Sequence, residues 1–356
     1  VTEGRRVLLT GAAGDLAGLL ATALARREDV ELVVGVDVRD PHPELAVDEF
    51  VRADVRNPLV GATLHAHRVD TVVHLSTAST PGPSGSRSLM KERNVIGAMQ
   101  LFAACQNAPT VRRFVLKSST AVYGSEHTDP VSFRETDLPR TPPRHGYAKD
   151  ASEIEGYARS FARRRRDVDL TILRFANLLG GRIDSSFHAL FSLPAVPTVL
   201  GFDPRLQFCH EEDAVAVLER AVAGAPPGIY NVAGEGVVYL SQAIRLAGRL
   251  PAPVPQPFVD AVASLVRRNR HVDLSPEQLR FLRFGRAVDI TRLREEFGYE
   301  PRHTSRSAFE DFVRRRRIRG LVPHEEVERL EREVNAFLAR QDQRRFLAGR
   351  SEGPTS

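Results

Sequence analysis

The chain has 356 residues, 42% of them apolar, which is enough for one large α/β unit or two coupled domains, and no apolar run approaches the length of a membrane span. Its net charge is +5 and its pI about 9.5, yet only Lys91, Lys117 and Lys149 among 50 basic residues are lysine. The arginine runs at 163–166 and 314–317 are the pattern of a nucleic-acid or anionic-membrane surface, but they lack interleaved aromatic residues and read instead as solvated helix faces, so no nucleic-acid partner is expected.

In chain order, short β-rich runs at 7–10, 32–37, 71–75, 114–118 and 170–174 alternate with helical patterns at 16–27, 94–107 and 147–166. Continuous apolar strands spaced by helices predict a doubly wound parallel sheet, Rossmann-like, with ligand beyond the carboxyl ends of the strands. Residues 1–180 are expected to form this dinucleotide-binding domain. From 181 to 322 the pattern breaks into Gly, Pro and short apolar runs, predicting a smaller, irregular substrate region with segments returning to the main domain. Residues 323–348 carry an amphipathic helical stripe (Val327, Leu330, Val334, Phe337, Leu338), and 349–356 read as a disordered tail. Cys105 and Cys209 make no disulfide framework and the opening residues carry no signal-peptide pattern, so the expected location is cytoplasmic.

The first strand runs into Thr10-Gly11-Ala12-Ala13-Gly14-Asp15-Leu16-Ala17, which opens a helix. Such a loop lets the backbone approach a pyrophosphate, and the helix N-terminus offers N–H groups to the anion. Asp37 closes the second strand, where a carboxylate accepts from both ribose hydroxyls and repels a 2′-phosphate, favouring NAD over NADP. Asp54, with Val55 after it, stands where a third strand would end; it is placed to meet the adenine or to cap its own loop. His74 and His210 have no neighbours at metal-ligand spacing, so no metal site is expected.

Taken together these residues resemble the extended short-chain dehydrogenase/reductases, specifically the NAD-dependent epimerase/dehydratase group typified by UDP-glucose 4-epimerase, over roughly residues 6 to 315. Gly11 and Gly14 match a T-G-x-x-G-x-x-G loop with Ala17 at the third glycine. Val73-His74-Leu75-Ser76 is similar to the strand under the nicotinamide ribose, Asn94-Val95-Ile96-Gly97 to an N-x-x-G helix start, and Lys117-Ser118-Ser119-Thr120-Ala121-Val122-Tyr123-Gly124 to the S-S-x-x-V-Y-G signature. The resemblance implies NAD contacts from Gly11, Ala13, Gly14, Asp15, Leu16, Asp37, Asp54, Val55, Leu75, Ser76, Asn94, Ser118 and Tyr147. It further implies Ser119 as the hydroxyl that orients the substrate, with Thr120, Asn177 and Arg205 on the substrate side.

Tyr147 matches the family's catalytic tyrosine, but the lysine four residues on is replaced by Ala151. On a helix i and i+4 share a face, so that lysine would set an ammonium beside the phenol and favour phenolate. Lys149, two residues on, points to another side; it or an arginine is the candidate stand-in. Two more departures bear on ligands: Asp15 inside the glycine loop, and Leu206 where epimerases place the arginine that clasps a diphosphate. Thr120-Ala121, in place of an Asp-Glu pair, disfavours dehydration. The function expected is therefore an NAD-dependent oxidoreductase or epimerase acting on a hydroxyl-bearing, nucleotide-sugar-like small molecule with an altered acid/base site; the alternative is a non-catalytic NAD-binding sensor or scaffold. The resemblance also implies a homodimer through the helices at 94–107 and 147–166. The apolar run at 258–270, ending Arg-Arg-Asn-Arg, is a candidate for peripheral membrane contact.

Overall fold

The apolar runs pair side by side in one seven-stranded, fully parallel sheet. In a computed structural model, which describes residues 4–77, 87–259, 261, 263 and 275–318, the first half of the chain alternates strand and helix. These elements are β1 (Arg5–Thr10), α1 (Asp15–Leu24), β2 (Val30–Asp37), β3 (Glu49–Arg52), α2 (Leu59–Ala66), β4 (Thr71–His74), α3 (Arg87–Lys91), α4 (Gly97–Gln106), β5 (Arg113–Ser119), α5 (Gly146–Arg164) and β6 (Asp169–Phe175). The second half contributes β7 (Asn177–Leu179), α6 (Ser186–Ser192), β8 (Ala195–Val199), β9 (Arg205–Leu206), β10 (Phe208–His210), α7 (Glu211–Ala223), β11 (Gly228–Val232), β12 (Val238–Tyr239), α8 (Leu240–Leu246), β13 (Leu250–Val254), α9 (Pro276–Phe284), α10 (Thr291–Glu295) and α11 (Ser305–Arg315).

The sheet order is β3-β2-β1-β4-β5-β6-β11. It reverses direction of growth between β1 and β4, and that reversal opens a crevice at the carboxyl edge. Alternate residues of each strand face opposite sides. Val7, Leu9, Val33, Val73, Val115 and Leu173 pack on α1 and α7. Leu8, Val36, Val72, Phe114, Leu116 and Ile172 pack on α2, α4 and α5. Burial on both faces explains why these strands read as unbroken apolar runs.

A further apolar cluster gathers Phe187, Phe191, Leu206, Phe208, Phe281, Phe309 and Phe312 from the second half of the chain. Two segments from that half return to the sheet: β11 pairs in parallel with β6, and Leu293 and Phe297 pack into the core on the α1/α7 side. The predicted helix at 94–107 is interrupted at its start. Glu92–Ile96 forms a π turn before α4, and Asn94 is fully buried in it. Among the described residues no helix is long and apolar enough to cross a membrane. The predicted C-terminal helix at 323–348, the tail at 349–356 and most of the 258–270 run lie outside the described residues.

Candidate active site

β1 ends at Thr10 and the chain turns sharply through Gly11, whose φ of +73° suits glycine. A Cβ on Gly11 would sit 2.8 Å from the Ser76 Cα, so the loop lies directly against the end of β4. Gly14 precedes α1, which has no side-chain N-cap; its first-turn amides are thereby left for an anion. Asp37, at the end of β2, accepts from the Ala13 amide at 3.1 Å and from the Arg39 amide at 2.9 Å. The carboxylate is thus held against the glycine loop at the place where a ribose would lie. Asp15 is tied down at the cavity's edge: its Oδ2 accepts from the Asp184 amide at 2.9 Å, linking the loop to the segment after β7. It also sits in the first turn of α1, where the helix dipole favours negative charge.

A cavity of about 760 Å³ extends from this loop across the strand ends, lined by Gly11, Leu16, Leu75, Ser119, Tyr147 and Asn177. The opposite wall comes from α9 and the turn after it, including Glu277, Arg280 and Arg286. Ser119 ends β5, and its Oγ accepts from the Ala121 amide at 3.1 Å, leaving its hydrogen free to donate into the cavity. Tyr147 occupies the first turn of α5. Burial pushes its phenol up to about 12; the Thr77 hydroxyl opposes this, and the carboxylates of Glu277 and Asp150 add to it.

A buried ion pair fixes α5 against the sheet. Arg174 of β6 donates to Glu155 of α5 through Nη2 at 2.7 Å and Nε at 2.9 Å, and through Nη1 to the Tyr123 hydroxyl at 2.8 Å. Ser118 donates to the same carboxylate at 2.7 Å. Asp150 is held by Arg87 and by Asn94 Nδ2, the latter at 3.2 Å. These bonds orient the helix that carries Tyr147.

The amino-acid pattern now has counterparts among known proteins. Residues 7–233 match the model of the NAD dependent epimerase/dehydratase family. The chain belongs to this family. The uncharacterized protein Rv0501 of Mycobacterium tuberculosis is 46% identical over 323 residues, covering 89% of this chain and 86% of that protein. Among solved structures, the UDP-glucose 4-epimerase of Thermotoga maritima with UDP-glucose superposes with a TM-score of 0.69 at 19% identity, covering 88% of this chain and 98% of the other. MoeE5 in complex with UDP-glucuronic acid and NAD gives 0.66 at 23% identity, covering 88% and 99%. At those identities the two structures speak to the fold.

Within the family frame, the structure gathers Gly11, Gly14, Asp15, Leu16, Leu75, Ser118, Ser119, Tyr147 and Asn177 around one cavity. Ala13 and Ser76 adjoin it through the Asp37 and Gly11 contacts just described. Val55 packs partly buried against the α2/α4/α5 side of the core. Asp54 follows the loop-capping alternative: its carboxylate accepts from the Arg56 amide at 2.9 Å and from the Arg56 guanidinium at 2.8 Å. Asn94 faces Asp150 rather than the cavity, and the Ser118 hydroxyl faces Glu155.

Three expectations need correction. Lys149 is not beside the phenol: its Nζ lies 3.7 Å from Glu153, one turn along the outer face of α5. Arg205 does not enter the cavity, because its backbone pairs β9 with β12 while Leu206 is buried in the C-terminal core. The Arg205 carbonyl instead accepts from the Arg286 amide at 3.0 Å, and it is Arg286 whose guanidinium reaches Gly124 O at 2.7 Å and Thr120 Oγ1 at 3.3 Å. Thr120 is thereby buried under Arg286 as its acceptor. One His/carboxylate group of metal-like spacing does occur, at His210, Glu212 and His303. Both His210 nitrogens are engaged, Nδ1 by the Glu212 amide and Nε2 by Asp311.

Sequence reasoning missed Glu277, Arg286 and Lys117. Glu277 Oε1 accepts from the Ala148 amide at 3.0 Å, capping α5 beside Tyr147, and burial raises its carboxyl. Burial lowers Arg286 to about 10. Only Lys117 carried a signal in the sequence, as a charged residue inside an apolar strand.

Proposed function

We propose that the protein is an NAD-dependent oxidoreductase or epimerase whose substrate is a hydroxyl-bearing, anionic molecule of nucleotide-sugar type. The observation that carries this reading is that Tyr147, Ser119 and Asn177 share one cavity with the Gly11–Gly14 loop. The fit to NAD rests on the close approach at Gly11, the uncapped start of α1 and the Asp37 carboxylate beside Ala13. NAD, when bound, supplies the hydride acceptor.

The chain's own residues do the rest. Ser119 donates to the reacting hydroxyl oxygen and holds it in place. Tyr147, in the small fraction ionised to phenolate, takes that hydroxyl's proton on Oη as the C–H bond breaks and the hydride leaves for the cofactor. Asn177, at the start of β7, offers its amide to the substrate. Arg286 presents the cation that position 206 lacks; its partners are a carbonyl and two hydroxyls, and among the described residues no carboxylate lies within ion-pair distance. An anion on the substrate would complete it. With Ala151 in place of lysine, the phenol gets no help from α5, and proton transfer is slow at neutral pH.

The raised phenol also favours a second reading, in which the fold binds NAD as a sensor and does not turn substrate over. One experiment separates the two. Purified protein is incubated with NAD and a panel of UDP- and dTDP-sugars, following reduced cofactor by absorbance and sugar interconversion by chromatography. Turnover that Tyr147→Phe abolishes and Arg286→Gln weakens chiefly through KM supports the enzyme. NAD binding with no conversion across the panel favours the sensor.

A further inference from the structure

Lys117 is the one lysine inside the sheet. β5 reads Arg113-Phe114-Val115-Leu116-Lys117-Ser118-Ser119, with Val115 in the core on the α1/α7 side and Leu116 in the core on the other. Side chains two apart in a strand share a face. Lys117 therefore points to the same side as Ser119, and both line the cavity that also holds Tyr147, Leu16 and Leu75. Its register partner on β6 is Leu173. On the other flank, His74 of β4 is fully buried, and burial together with the Lys117 charge holds that imidazole neutral, its pKa down to about 4.

Among the described residues the Lys117 ammonium has no hydrogen-bond or ion-pair partner; withdrawal from water alone brings its pKa down to about 8. At pH 7 it is still largely charged. An unpaired ammonium inside an apolar strand is unfavourable to the folded chain. Such a residue is accounted for when a ligand completes it.

We propose that Lys117 binds the nicotinamide-ribose half of NAD from strand β5, supplying the ammonium that α5 lacks at position 151. The inference rests on reading the cavity as an NAD site. The glycine loop lies over β1, and only β4 separates β1 from β5. Two strand spacings, about 10 Å, carry the site from the diphosphate toward the nicotinamide end of a dinucleotide laid across the strand ends. An ammonium there donates to as many as three oxygen acceptors, which ribose hydroxyls provide. It acts on the cofactor, whereas Tyr147 keeps its raised phenol.

The test compares wild type, Lys117→Met and Lys117→Arg by calorimetric titration with NAD and with ADP, alongside thermal melting of the ligand-free proteins. A hydrogen bond to a charged group is worth about ten- to a hundred-fold in affinity. Lys117→Met is expected to weaken NAD by that factor, to leave ADP within about two-fold, and to raise the ligand-free melting temperature slightly by removing an unpaired, half-buried charge. Lys117→Arg, which keeps the cation, is expected to recover part of the loss. Unchanged NAD affinity in Lys117→Met overturns the proposal. Equal weakening of NAD and ADP, or a lowered melting temperature with loss of both ligands, also overturns it, since either would mean a general or structural role. Wild type that binds ADP but not NAD overturns both this proposal and the functional reading, whereas NAD binding that Lys117→Met leaves intact overturns this one alone.

Discussion

Ala151→Lys is the perturbation that bears most directly on Tyr147. In the native chain burial holds the phenol at about 12, against an ordinary value of about 10. At pH 8 that corresponds to roughly one phenolate in 10,000 molecules. A helical side chain leans toward its own N-terminus, so a lysine at 151 would extend over the preceding turn, toward Tyr147. A cation within about 4–6 Å lowers an acid's pKa by about 1–3 units; two units correspond to about 2.7 kcal/mol and a hundred-fold gain in phenolate at fixed pH. Ala151 is 4% exposed and packs into the core, so the new side chain must thread between its neighbours and part of that gain is spent on repacking. The assay is a pH titration of tyrosine labelled with 13C at Cζ, with Tyr147→Phe assigning the resonance among six tyrosines. The expected result is a Tyr147 resonance that stays protonated beyond pH 11 in the native chain and titrates about 1–2 units lower in Ala151→Lys. A native Tyr147 titrating at or below 10, or one unmoved in a variant that keeps its melting temperature, would refute the reasoning.

Three other outcomes follow from the same geometry. His74 is buried with a folded pKa of about 4 against 6.5 for the free side chain. The unfolded chain therefore binds more protons in between. Stability is full above pH 6.5 and falls by about 3 kcal/mol as pH drops toward 4; His74→Gln should flatten that part of the denaturant-midpoint profile, and an unchanged slope would contradict the assignment. Arg174→Met leaves the Glu155 carboxylate buried without its bidentate partner, a loss of about 3–5 kcal/mol, whereas the paired change Arg174→Met with Glu155→Leu should recover most of it in urea melts. Asp37→Ala should weaken NAD by about ten-fold and narrow the preference over NADP; wild type binding NADP as tightly as NAD would overturn the role of Asp37.

Much of the fold was legible because burial on both faces of a parallel sheet leaves continuous apolar runs, and those runs at 7–10, 32–37, 71–75, 114–118 and 170–174 fall on observed strands. The glycine loop was legible for a local reason, since Gly11 is required by its backbone angle and by the contact with Ser76. What the linear sequence hid depends on distant parts of the chain. Arg286 serves the cavity only because Arg205, 81 residues earlier, holds its backbone, and its guanidinium then reaches Thr120 and Gly124. Glu277 caps a helix 129 residues before it. Asp15 could not be judged until its acceptor bond to the Asp184 amide was seen. Lys149 failed for the opposite reason: its helical position was plain, and Glu153 at i+4 was the nearer partner.

The three departures from the family pattern are better understood as one redistribution of charge than as three separate losses. The acid in the glycine loop is engaged by the Asp184 amide, while α1 begins without a side-chain cap and its first-turn amides are left for an anion. The leucine at 206 fills the C-terminal core, and Arg286 enters the cavity from the strand-like bridge beside it. The alanine at 151 packs against the sheet, while Lys117 presents an ammonium to the same cavity from β5. Lys117 and Arg286 each lack an acidic partner at ion-pair distance among the described residues, and burial lowers the pKa of both. Each is a cation partly withdrawn from water with no acid to offset it, and that opposes folding of the ligand-free chain. The arrangement is stable in use if the ligands bring the negative charge and the oxygen acceptors. A dinucleotide lying over Lys117 and an anionic substrate meeting Arg286 would do so, each completing the cation nearest to it.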